Sequence, residues 1–264
     1  MTDTPEFATI TVEVDAPVGS IRFQRPEKYN AISTQLMAET VHALRYLEDR
    51  EDVAGVLVCG TDRYFSTGAD LDEALTIETP GQYVGYNRSW RELTSTVERL
   101  TKPVIACISG YCYTGGLEFA MACDIRVAAQ NATFAITSAR IGSVAGAGGT
   151  QRLPRLIGAG RAKAMLFAAD PIDADEAYRI GLIDFLVPDG EVESHGRARV
   201  EVFATRGPLS LAWAKLAVNT GINLDLDSAL DLEAALSAQA FTTEDKEEGM
   251  RAFLEKRPPV FKGR

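Results

Sequence analysis

Tyr113-Thr114-Gly115-Gly116-Leu117-Glu118-Phe119 is the stretch from which the rest of the chain is read. An apolar run, Val104-Ile105-Ala106-Cys107-Ile108, precedes it and reads as a buried strand. Ala120-Met121-Ala122-Cys123 follows and reads as a buried helix. A strand, a glycine turn and a helix start leave backbone N–H groups free to face a ligand. Glu118 lies one turn inside, between apolar residues. A carboxylate there is costly unless it is paired or used. A satisfied core glutamate and a reacting group both fit this local pattern.

A second glycine turn, Tyr64-Phe65-Ser66-Thr67-Gly68-Ala69-Asp70-Leu71, follows another strand, Val53 to Cys59. Lys102-Pro103-Val104-Ile105-Ala106 and Gly146-Ala147-Gly148-Gly149-Thr150-Gln151-Arg152 complete an ordered set. Together they resemble the crotonase (enoyl-CoA hydratase/isomerase) superfamily. The resemblance runs from about Ile10 to Arg264 and includes Glu248 to Arg257. It implies an α/β fold: a crotonase-type ββα spiral core with a C-terminal helical trimerisation region. A composition shift near residues 190–205 divides the chain into a core, 1–200, and a helical oligomerisation region, 201–264.

The resemblance implies an enzyme that stabilises the enolate of an acyl-CoA thioester. Two backbone N–H donors suit that task in a dry pocket. The matching positions are Ala69 and Gly115. Many relatives carry three glycines before the acidic residue, whereas the first here is Thr114, which narrows the pocket without removing the Gly115 donor. Glu118 matches the hydratase glutamate that activates the attacking water. Hydratases place a second glutamate, preceded by a proline, twenty residues on. That position is Ser138, in Phe134-Ala135-Ile136-Thr137-Ser138-Ala139-Arg140. A serine hydroxyl can hold water or a polar group but is no unassisted acid or base near neutral pH. Enoyl-CoA hydratase is the leading reading. The alternatives are another crotonase reaction (isomerisation, C–C hydrolysis, decarboxylation or thioester hydrolysis) and a catalytically weakened acyl-CoA binding subunit.

The resemblance also assigns CoA contacts to Glu27, Lys28, Tyr29 and Ala31 and to Asp70 and Leu71. Phe253 and Lys256 match residues that relatives supply to a neighbour's CoA. It implies no tightly bound cofactor, with coenzyme A arriving as part of the substrate. The expected assembly is a homo-oligomer, a trimer or a dimer of trimers. Leu216, Val218, Leu230, Leu232, Leu236 and Phe241 give the tail apolar surface for it.

Bulk properties fit this picture. The 264 residues carry 27 Lys+Arg and 37 Asp+Glu, a net charge of −10, which sets against nucleic-acid binding. The N-terminus lacks a basic-then-apolar leader, and no apolar run reaches the ~20 residues of a membrane span. Cys59, Cys107, Cys112 and Cys123 form no CxxC pair, so they read as buried thiols in a reducing cytoplasm. His42 and His195 are far apart in polar surroundings, which argues against a metal site or a triad. Asp124 reads as a structural acid. Tyr111 and Tyr113 read as packing aromatics whose hydroxyls could reach the pocket. Residues 8–14 with Ile21 and Phe23 predict a hairpin, and Ser33 predicts a helix N-cap. Residues 76–86 predict a mobile loop, with a helix over 83–100.

Overall fold

The computed structural model describes residues 5–264. Two sheets organise it. The larger has six strands in the order β1 (Ile10–Asp15), β2 (Val18–Phe23), β3 (Gly55–Cys59), β5 (Val104–Ile108), β7 (Ile125–Ala129) and β10 (Phe185–Val187). Only β1–β2 is antiparallel. The smaller sheet has the order β4 (Tyr64–Ser66), β6 (Tyr111–Tyr113), β8 (Thr133–Ala135) and β9 (Ile172–Asp173). β3 and β5 are buried at every residue, the mark of parallel strands covered on both faces.

The chain passes from the large sheet to the small sheet and then into helix, three times over. β3 and β4 lead to α2 (Leu71–Ala74) and α3 (Pro80–Arg99). β5 and β6 lead to α4 (Gly115–Ala120), and β7 and β8 lead to α5 (Gly149–Ile157) and α6 (Ala159–Ala168). This is the expected ββα spiral. α1 (Thr34–Glu48) starts at Ser33, whose hydroxyl accepts the Leu36 N–H at 3.1 Å, and buries Leu36, Met37, Val41, Leu44 and Leu47. α7 (Ala174–Arg179) precedes β10, and α8 (Val192–Phe203) covers the outer face of the large sheet through Val192 and Val200.

α9 (Pro208–Gly221), α10 (Leu226–Phe241) and α11 (Glu244–Glu255) complete the chain. α9 and α10 bury no residue, although Lys215 of α9 reaches into the body to meet Asp124 at 2.8 Å. Asp124 also accepts the Val104 N–H at 2.7 Å, so it is a structural acid. All four cysteines are free and buried.

Three local expectations change. Helix, not loop, begins at Pro80. Proline at the first helical turn loses only an N–H that would have no partner, and Thr79 and Gln82 cap each other reciprocally. The helix after the glycine turn begins at Gly115 and ends at Ala120. Ala122 and Cys123 donate to Phe119 and Ala120 in tightened turns that hand the chain to β7. Tyr111 is exposed and the Tyr113 hydroxyl pairs with Thr133 Oγ1 at 3.0 Å, so neither hydroxyl joins the cavity described next.

Candidate active site

β4, β6 and β8 run parallel and side by side, so their C-terminal ends form one edge. Ligands favour that end of parallel strands, where chain reversals leave free amides. Ala69 follows β4, Gly115 follows β6 and Ser138 follows β8. All three line one cavity of about 450 Å³, together with Glu118.

The two turns abut. A Cβ on Gly68 would stand 3.2 Å from the Gly115 nitrogen. A Cβ on Gly115 would stand 2.5 Å from the Trp90 ring, which explains glycine there: the wall of the cavity leaves no room. Neighbouring amides are used, with Asp70 N–H donating to Ile32 O at 3.0 Å and Thr114 N–H to Ala135 O at 2.8 Å. The Ala69 and Gly115 N–H groups make no hydrogen bond among the described residues.

Glu118 is 2% exposed. Its Oε1 accepts the Ala147 N–H at 2.8 Å and the Gly149 N–H at 2.7 Å. Both amides come from the glycine loop that opens α5, which therefore cradles the carboxylate as well as lining the pocket. Burial pushes the Glu118 carboxyl above the usual carboxylate range, and the two amides and the Arg152 charge offset this only in part. Arg152 steadies the loop. Its Nη1 donates to Ala147 O at 3.0 Å and its Nε to Glu98 Oε1 at 2.7 Å. Glu118 Oε2 makes no hydrogen bond among the described residues and is the oxygen available to a reactant.

Ser138 is buried at the start of a short 3₁₀ turn, and its hydroxyl has no hydrogen-bond partner among the described residues. Glu27, Lys28, Tyr29, Ala31, Asp70 and Leu71 line the same cavity. Lys28 pairs with Asp72 at the surface. Burial opposes the Asp70 charge, but Arg25 at 2.8 Å and the following helix amides outweigh it and hold the carboxyl below its usual range. Asp70 thus braces the wall between Arg25 and the N-terminus of α2. Phe253 and Lys256 lie on the exposed C-terminal face and do not join this cavity.

The sequence reading missed the opposite wall. Tyr83, Tyr86, Asn87 and Trp90 come from α3; Tyr83 and Tyr86 fall where residues 76–86 suggested a loop, whereas Asn87 and Trp90 lie in the helix expected over 83–100, without a role in the site assigned to them. The Tyr86 hydroxyl is buried without a partner among the described residues. The capping pair Thr79/Gln82 was the available signal. A larger groove of about 960 Å³ between α3, α5 and α9 shares Asn87, Gly146 and Ala147, but neither unused amide nor Glu118 borders it. Among the described residues no cluster of His, Cys, Asp and Glu could hold a metal ion.

Residues 13–264 match the enoyl-CoA hydratase/isomerase family. The short-chain-enoyl-CoA hydratase of Clostridium acetobutylicum is 36% identical over 256 residues, 96% of this chain and 97% of that protein. The crotonyl-CoA hydratase of Syntrophomonas wolfei is 35% identical, covering 97% of this chain and 98% of that protein. The crystal structure of enoyl-CoA hydratase from Bacillus anthracis superposes with a TM-score of 0.92 at 36% identity, covering 97% of this chain and all of that one.

Proposed function

The chain belongs to the enoyl-CoA hydratase/isomerase family, and we propose that it adds water across the double bond of a 2-enoyl-CoA. One observation carries the reading: two unused amides and a buried, proton-avid carboxyl share a single cavity. The thioester oxygen takes the Ala69 and Gly115 N–H groups, which stabilise the charge that grows on it. Glu118 Oε2 accepts a proton as water attacks Cβ, giving the enolate. The same carboxyl then returns that proton to Cα. One water is consumed, the double bond becomes single, and Glu118 is regenerated. The Ser138 hydroxyl orients water or substrate at the place where hydratases carry their second glutamate.

Ser138 also favours a second reading, in which the enolate is used otherwise or the chain only binds acyl-CoA. Turnover of crotonyl-CoA, followed by loss of the conjugated thioester absorbance, decides between them. Tight CoA-ester binding without hydration would overturn the hydratase reading. No tightly bound cofactor enters this mechanism, and Glu27 to Ala31 with Asp70 and Leu71 form the path for the CoA portion of the substrate.

The helical region 201–264 is read as the oligomerisation region. Val218 is 66%, Leu226 73% and Phe241 65% exposed, more apolar surface than a lone helical arm carries in water. A trimer or a dimer of trimers would cover it and bring Phe253 and Lys256 to a neighbour's CoA. A monomer in light scattering at micromolar concentration would refute this. Four buried free thiols support a reducing, cytoplasmic setting. No helix among the described residues is long and apolar enough to cross a membrane.

A further inference from the structure

Five non-glycine residues among those described have positive φ, and Thr114 is the β-branched one. Its φ of 44° and ψ of −112° belong to glycine's territory, and a branched side chain there is strained. Something must hold it. The Thr114 hydroxyl pairs with Thr137 Oγ1 at 2.8 Å and accepts the Thr137 N–H at 3.0 Å. The Thr114 N–H donates to Ala135 O at 2.8 Å. All three bonds run to residues 135–137, the last residue of β8 and the turn that leads to Ser138.

The fourth bond gives the arrangement its meaning. Thr114 O accepts the Glu118 N–H at 2.8 Å. Thr114 C=O and Gly115 N–H belong to one trans peptide, in which the two groups point opposite ways. Fixing the carbonyl toward α4 therefore aims the Gly115 N–H away from the helix, toward the cavity that Gly115 lines. The side-chain pair prevents the peptide from relaxing out of its strained orientation.

We propose that Thr114 and Thr137 are positioning residues: their side-chain pair aims the Gly115 N–H and locks it to the turn that carries Ser138. This rests on the reading of Gly115 as an oxyanion donor. The two residues occupy positions where the resembled pattern has glycine and proline, so two departures from that pattern bond to each other. The amide donor and the Ser138 hydroxyl thereby become parts of one rigid unit.

The test uses butyryl-CoA carrying ¹³C at the thioester carbonyl, bound to the whole protein and read by isotope-edited infrared spectroscopy. Wild type lowers the carbonyl stretch. Thr114→Gly, which accepts positive φ without strain, and Thr137→Val, which removes only the partner hydroxyl, each lose part of that lowering. Each also lowers kcat on crotonyl-CoA by about tenfold or more, the scale of a slightly misplaced donor. Affinity for CoA itself is unchanged. Thr114→Ser keeps the hydroxyl and retains both the stretch and kcat. If folded Thr114→Gly and Thr137→Val polarise the carbonyl as wild type does, the positioning role is overturned while the oxyanion reading stands. If wild type leaves the stretch where free butyryl-CoA has it, the oxyanion reading falls and this inference with it.

Discussion

Replacing Glu118 by Gln separates chemistry from architecture. Glu118 Oε1 accepts two backbone N–H groups, from Ala147 at 2.8 Å and Gly149 at 2.7 Å. A glutamine Oε1 can take the same two bonds, so neither amide is stranded, a loss that would cost about 1–3 kcal/mol each. Only the proton acceptor disappears. Turnover of crotonyl-CoA should fall ~10²–10⁴-fold, equivalent to roughly 3–5 kcal/mol of barrier. Stability should move the other way. The folded pKa of Glu118 is raised, chiefly by burial. A group so shifted contributes its stability in acid and loses it as pH rises through the folded pKa. The ionised carboxylate therefore weighs against folding at about pH 8, and glutamine removes that burden. Glu118→Gln should melt no lower than wild type at about pH 8, and its advantage should vanish near pH 4. Stopped assays with crotonyl-CoA and thermal unfolding at the two pH values read both effects. Unchanged turnover would make Glu118 a structural residue and end the proposed mechanism.

The acid limb of turnover should lie above the ordinary carboxylate range, because the base must be ionised. Arg152 lowers the Glu118 pKa, so Arg152→Gln should move that limb to higher pH, while Arg155→Gln on the exposed side of α5 leaves it in place. A limb that does not move would remove Arg152 from the electrostatics of the site. Ser138→Glu should raise hydration of crotonyl-CoA by supplying a second proton-transfer group, and Ser138→Ala should reduce it far less than Glu118→Gln does. Lys215→Met should destabilise the protein by about 3–5 kcal/mol in chemical denaturation, since it leaves the mostly buried Asp124 without its cation. A loss below about 1 kcal/mol would mean that α9 is not anchored to the body through this pair.

The chain advertises its larger sheet and hides its smaller one. Five consecutive apolar residues in β5, or alternation in β1 against β2, are long enough to read. β4, β6 and β8 have three residues each, too few for a period of two to emerge; β4 and the end of β6 were absorbed into glycine turns, and β8 into the stretch that carries Ser138. The threefold ββα passage leaves no repeat in the sequence, because each turn packs different side chains into the same path. Ala69, Gly115, Glu118 and Ser138 were singled out by the family resemblance that the glycine turns carry, and the fold brings all four to one cavity. What spacing cannot reveal is the partner of a side chain. The amides that hold Glu118 belong to residues whose identity says nothing about their N–H groups, and nothing in the sequence pairs Thr114 with Thr137.

Three adjacent strand ends bring one group each to the cavity: an amide after β4, an amide after β6 and a hydroxyl after β8. The first two are backbone. Topology and glycine turns supply them, and ordinary substitutions at exposed positions cannot remove them. The third is a side chain, as is Glu118. Under the proposed mechanism the half of the site that stabilises an enolate is thus built into the fold, whereas the half that moves protons depends on single residues. A serine at position 138 alters the second half without touching the first. That division predicts an order of losses under mutation. Variants at Glu118 and Ser138 should still bind and polarise a thioester carbonyl, whereas changes to the Thr114 peptide should weaken polarisation with both side chains intact. A protein in which polarisation and proton transfer always failed together would not be built this way.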